Sequence, residues 1–197
     1  MNKSVAIFEN MLKSQNTHIN LIENFTHLRG YHGCRPTSVE SYYQNGIIPI
    51  EKEFAKQDAI IRLCNEQVSV SKVLSTFETA WSTLPPSDKS VWLTFSQEEL
   101  INFCGHYLIY GSEFLCGIAA QLFCQHNLKK VGTPTIFFCD IPLSNIPVNY
   151  LSDIEQKFRR RDASGGFRVN NKVLPKEIVG HSHPTSIPDP INGGIYH

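Results

Sequence analysis

The run Tyr31-His32-Gly33-Cys34-Arg35 sets an imidazole, a residue without a side chain, a thiol and a guanidinium in succession. A glycine at the end of a strand lets a flat ligand approach the main-chain N–H and C=O. A carboxamide, with one donor and one acceptor group, pairs with such an exposed backbone edge. A histidine beside it can bond a sugar hydroxyl, and the planar fork of Arg35 suits a phosphate. On the residues alone the segment reads equally as a strand-end turn with a surface histidine. Cys34, two residues from His32, raises the idea of a thiol nucleophile, but side chains two apart on a strand-like loop rarely orient for proton transfer.

A second such run is Gly105-His106-Tyr107-Leu108-Ile109-Tyr110-Gly111-Ser112-Glu113. Read as a strand over 106–110, it puts Tyr107 and Ile109 on one side and His106, Leu108 and Tyr110 on the other. Either tyrosine offers a flat ring for stacking on an aromatic ligand. The Ser112 hydroxyl, with a helix start behind it, can receive an anion. The plain alternative is two sheet tyrosines and a serine N-cap.

Three further features bear on chemistry. His181-Ser182-His183 has the His-x-His spacing of metal ligands, but no carboxylate or cysteine accompanies it in the sequence, so no metal is expected. Six cysteines, Cys34, Cys64, Cys104, Cys116, Cys124 and Cys139, follow no zinc spacing and contain no CxxC pair. They read as reduced thiols packed as small apolar groups in a cytoplasmic protein. Arg159, Arg160 and Arg161, with Lys157 and Arg168, form a basic cluster that could contact nucleic acid or another phosphate-bearing target, or could be a solvated face.

The chain that must position these groups has 197 residues, enough for one domain with a sizeable core. Lysine plus arginine and aspartate plus glutamate number 18 each, so no global pull toward nucleic acid or anionic lipid exists. No apolar run approaches the roughly 18–20 residues of a membrane helix, and the polar breaks of residues 1–20 fit no signal peptide.

Periodicity predicts a helix over 3–14, with Val5, Phe8 and Leu12 on one stripe, and a strand entering the HGCRP turn. A helix opened by a Thr37/Glu40 capping box should stop at Gly46. Residues 51–84 read as a helical insert, and 97–104 and 113–125 as helices. A short helix through Arg161 should open on a Ser152/Glu155 capping box. Strands are expected at 90–95, 106–110, 134–140, 167–169 and 178–180, followed by an irregular tail over 183–197. Strands that do not alternate regularly with helices favour α+β, with a mostly antiparallel split sheet, flanking helices and the helical insert.

With YHGC followed by SVESYYQNGII, GHYLIYGSEFLCGIAAQL, and KVLPKEIVGH near the end, the order of parts resembles the ADP-ribosyltransferase superfamily. The similarity is to its His-Tyr-Glu branch, shared by diphtheria toxin and the poly(ADP-ribose) polymerases, and it covers roughly residues 28–182. Cys34 stands where threonine is frequent in that family. The resemblance implies that NAD is the substrate: His32 would bond the ribose of the nicotinamide half, and Gly33 would pair with the carboxamide. Tyr107, or alternatively Tyr110, would stack on the nicotinamide ring. Glu177 would be the catalytic acid, stabilising the positive charge that builds on the sugar as nicotinamide leaves. Cys34, Arg35 and Ser112 would complete the NAD-binding surroundings. The implied activity is transfer of ADP-ribose to a macromolecular acceptor, in a setting that fits a toxin or defence effector as well as a housekeeping modifier. NAD glycohydrolysis, NAD-dependent removal of a 2′-phosphate from RNA, and a catalytically inactive NAD- or ADP-ribose-binding module are the alternatives on the same fold.

Overall fold

The computed structural model describes residues 4–13 and 20–197. In chain order its elements are β1 (Val5–Ala6), α1 (Phe8–Lys13), α2 (Leu21–Asn24), β2 (His27–Cys34), α3 (Glu40–Asn45), α4 (Lys52–Leu63), α5 (Val70–Thr83), β3 (Trp92–Thr94), α6 (Gln97–Asn102), α7 (Gly105–Ile109), α8 (Glu113–Gln121), α9 (Gln125–Leu128), β4 (Thr135–Pro142), α10 (Val148–Arg160), β5 (Gly166–Arg168), β6 (Ile178–Ser182), β7 (Ile187–Pro188) and β8 (Ile195–Tyr196). Three 3₁₀ turns, Pro86–Lys89, Leu143–Asn145 and Pro175–Glu177, link them.

Five strands form an antiparallel sheet in the order β5-β3-β2-β4-β6, and β1 pairs with β2 in parallel. The molecule is α+β, with helices on both faces of this sheet. β4, TIFFCDIP, is apolar on both faces because it is central and covered twice. It pairs with β2 along its whole length, from His27↔Pro142 to Cys34↔Thr135. One core holds Leu28, Phe137, Cys139 and Ile141 against α1 and α10; the other holds Tyr31, Ile136 and the apolar faces of α4 to α8.

The helical insert divides into α4 and α5, the latter opened by Ser69, whose Oγ accepts from the Lys72 N–H at 3.4 Å. Gly46 closes α3 with φ +81°, and a Cβ there would lie 2.1 Å from the Val173 carbonyl oxygen, so only glycine fits.

Several local expectations are corrected. Residues 106–109 belong to helix α7 and Tyr110 is its C-terminal cap, so the expected strand over 106–110 does not form. So short a run suits a buried helical turn as well as a strand, and here Tyr110 N–H bonds the His106 carbonyl at 2.8 Å. The Thr37/Glu40 box does not form; the Ser38 hydroxyl accepts from the Ser41 N–H instead. α10 begins at Val148, directly after Pro147, with Leu151, Ile154 and Phe158 as its buried stripe. Ser152 therefore lies inside the helix, and Glu155 reaches across to accept the Leu21 N–H at 2.9 Å. Val5–Ala6 is a strand, and the predicted N-terminal helix runs from Phe8 to Lys13; residues 3 and 14 and the Leu12 side chain lie outside the described residues. The tail is not wholly irregular, because β7 and β8 pair as a small hairpin.

Candidate functional site

Strand alternation along β2 separates the groups of the first motif. Leu28, Gly30, His32 and Cys34 face one core, with His32 opposite Phe137; Tyr31 and Gly33 face the other. β3 is in register with β2 at the single pair Tyr31↔Thr94. One residue further on, the ring Nδ1 of His32 lies 3.0 Å from the Trp92 carbonyl oxygen. A carbonyl only accepts, so Nδ1 carries the hydrogen and Nε2 holds the lone pair of the neutral ring. Burial lowers the His32 pKa, with the Trp92 carbonyl opposing it, so the ring is neutral at pH 7. An acceptor nitrogen held in one tautomer can take a hydrogen bond from a hydroxyl.

Gly33 is where two helices press on the strand. A Cβ there would lie 2.8 Å from Cδ2 of Leu100 on α6 and 3.3 Å from Cδ2 of Leu108 on α7. The missing side chain thus lets α7, which carries Tyr107, pack directly on the His-Gly strand. Tyr107 is half-buried; its hydroxyl donates to Oε2 of Glu113 at 2.7 Å, and its ring lies 4.1 Å from that of His106. Burial first, and then the Glu113 carboxylate, raise the Tyr107 pKa, so the phenol stays protonated and donates. Gly33 and the Tyr107 helix are therefore brought together, while the His32 imidazole projects from the other face of the same strand.

Arg35 and Tyr110 belong to a different, buried arrangement. Arg35 is 5% exposed, which leaves its guanidinium no open approach. It donates from Nε to the Val131 carbonyl at 2.9 Å, and from Nη2 to the Lys129 carbonyl at 2.6 Å and the Tyr196 hydroxyl at 3.0 Å. Tyr110, the residue after α7, donates its hydroxyl to Oδ2 of Asp189 at 2.6 Å, and Lys129 Nζ donates to the same oxygen at 3.0 Å. Burial alone would raise the Asp189 carboxyl; the bonds from Tyr110, Lys129, Asn192 and Ile191 outweigh it and hold the pKa well below the usual carboxylate range. The phosphate and stacking roles considered for Arg35 and Tyr110 therefore meet side chains already engaged in fastening the C-terminal hairpin. Asp189, Lys129 and Tyr196 had no motif to announce them. The one legible signal was the Asn192-Gly193-Gly194 turn, a hairpin dipeptide pattern inside a tail otherwise rich in Pro and Gly.

The remaining candidates are scattered. Ser112 is exposed at the start of α8 and makes no side-chain capping bond. Cys34 is partly buried beside Tyr42, and burial pushes its thiol up to about 12, with the Tyr42 hydroxyl and Arg62 opposing. Glu177 closes the 3₁₀ turn before β6; it is 6% exposed, and its Oε2 accepts the Leu174 N–H at 2.8 Å. It lines an open depression of about 790 Å³ with Ile48, Asn145, Asn170, Asn171 and Lys172. The next residue, Ile178, registers with Cys139, which registers with Gly30. Glu177 is thus across β4 from His32, and at about 4.8 Å per strand the separation is two strands. Arg159 and Arg160 are exposed in the last turn of α10, where cations complement the helix dipole, and Arg161 is its left-handed cap with φ +55°.

No family model, no curated protein and no solved structure matches the chain. Among the described residues, no helix is long and apolar enough to cross a membrane.

Proposed function

We propose that the chain is an ADP-ribosyltransferase-like enzyme that takes NAD as substrate, breaks the bond between nicotinamide and ribose, and passes ADP-ribose to a macromolecular acceptor. The observation that carries this reading is the contact of α7 on Gly33, which sets the Tyr107 helix against the strand bearing a neutral, tautomer-fixed His32. In this reading the nicotinamide carboxamide pairs with the Gly33 backbone and its ring lies on Tyr107. His32 Nε2 accepts a ribose hydroxyl. The acid that balances charge building on the sugar is Glu177, by the resemblance in sequence; Glu113, bonded to Tyr107, is the carboxylate next to α7. A cytoplasmic setting is supported by six free cysteines. The exposed Arg159–Arg161 turn supports a phosphate-rich acceptor, including nucleic acid.

Incubating the full chain with NAD and following nicotinamide release tests the reading. Turnover that falls in His32→Ala and Tyr107→Ala supports it. Neither turnover nor NAD binding by calorimetry in the parent would reject it. Parallel Glu177→Gln and Glu113→Gln variants assign the acid. The separation of Glu177 from His32 by two strands favours one other outcome, a module that binds NAD without cleaving it; binding without nicotinamide release identifies that case. The RNA 2′-phosphate reading requires converging arginines, and Arg35 is committed to carbonyls and Tyr196.

A further inference from the structure

We propose that His181 and His183 form an open site for one divalent transition-metal ion on the edge of the sheet, independent of the NAD reading. Among the described residues β6 is the terminal strand of the sheet, and both histidines are exposed. Ser182 lies between them, so the two side chains project from the same face of the chain. Their ring centroids are 5.0 Å apart with an interplanar angle of 66°. A zinc–nitrogen bond of about 2.0–2.1 Å plus the roughly 1.2 Å ring radius puts a metal about 3.2 Å from each centroid. Two centroids at that distance are about 4.5 Å apart for a right angle at the metal and about 5.2 Å apart for a tetrahedral one. The observed separation lies inside that interval.

The other ring nitrogens are engaged in the way that orients metal-binding imidazoles. Nδ1 of His183 lies 3.1 Å from the Pro134 carbonyl oxygen and 3.2 Å from the Thr135 hydroxyl. The carbonyl can only accept, so in the neutral ring Nδ1 carries the hydrogen and Nε2 is the free lone pair. Nδ1 of His181 lies 2.9 Å from the Tyr43 hydroxyl oxygen, which can accept Nδ1–H and leave the lone pair on the same nitrogen, Nε2. His181 also packs edge-on against Tyr43 and tilted against Phe137, which limits its rotation. Among the described residues no third histidine, cysteine or carboxylate completes the group. The site is therefore bidentate and leaves positions for water or an incoming ligand, and neutral imidazoles select zinc, nickel or copper over magnesium or calcium.

The test is a titration of the full chain with Zn²⁺, and separately with Ni²⁺, followed through the imidazole NMR signals of the individual histidines. The expected result is that His181 and His183 respond together and saturate at one equivalent. His181→Ala and His183→Ala should each weaken this event about tenfold or more, and Tyr43→Phe, which keeps the ring and removes only the orienting oxygen, should weaken it by a smaller factor. Circular dichroism matching the parent separates a lost ligand from a lost fold. The proposal is overturned if the first equivalent leaves these two signals unmoved, or if the His181→Ala/His183→Ala double variant titrates like the parent.

Discussion

The Tyr110 hydroxyl lies 2.6 Å from Oδ2 of Asp189, a residue 79 positions further along the chain. Through this bond the end of α7 is tied to the C-terminal hairpin, and Lys129 joins the same oxygen. Gly105, at the start of α7, has no room for a Cβ, which would meet the Pro188 carbonyl oxygen at 2.6 Å. The hairpin thus clasps α7 at both ends.

Asp189→Ala leaves a phenol and an ammonium without their acceptor. It should cost about 3 kcal/mol in urea unfolding, as breaking a buried pair does. Because the folded carboxyl sits below its unfolded value of about 3.9, its contribution is complete above that value and is lost as the pH falls through the acid range. The Asp189→Asn variant should therefore show a flatter acid limb than the parent.

His32 acts in the same direction at a higher pH. Its folded pKa is lowered, so below the unfolded value of about 6.5 the unfolded chain binds a proton that the native ring refuses. Stability should fall as the pH drops through that value, and His32→Gln should remove this slope when urea midpoints are compared between pH 5 and 8. If the NAD reading holds, the same variant should lose roughly tenfold or more in nicotinamide release, the worth of one hydrogen bond of about 1.5 kcal/mol.

Gly33→Ala drives a methyl into Leu100 and Leu108. A loss of about 1–3 kcal/mol is expected from overpacking, with chemical-shift changes concentrated in α6 and α7. A variant as stable as the parent would show that the helices do not rest on this strand as described.

Arg35→Lys keeps the charge but cannot span the carbonyls of Val131 and Lys129 and the Tyr196 hydroxyl. About 2 kcal/mol should be lost, which for a chain of this size lowers Tm by about 4–8 °C. NAD affinity, measured well below Tm, should change little, since the guanidinium is not open to a phosphate.

Cys34 should be nearly inert. With its thiol at about 12, only about one molecule in ten thousand is thiolate at pH 8, and alkylation by iodoacetamide should be correspondingly slow in the native chain and fast after denaturation.

Much of the architecture was legible because it is written in local pattern. The apolar run PTIFFCD announced β4, and Gly46 closed α3 where no side chain fits, whereas the Ser69 cap that divides the 51–84 insert into α4 and α5 was not read. Residues 106–110 were illegible in the same terms, because five positions carry no period long enough to separate strand from buried helix. Motif residues were legible as types but not as neighbours. The helix that carries Tyr107 rests on Gly33 because Leu100 and Leu108 fill the space over a glycine, and Arg35 turns inward because carbonyls 94 and 96 residues away converge on it.

The sequence by itself determined the α+β class, the places of most elements and which residues have the chemistry to act. The tertiary structure decided which of those residues share a surface. That division is physical: side-chain period and turn residues act within a few positions, whereas the face a strand residue occupies and the partner of a buried charge depend on segments a hundred residues apart being packed together.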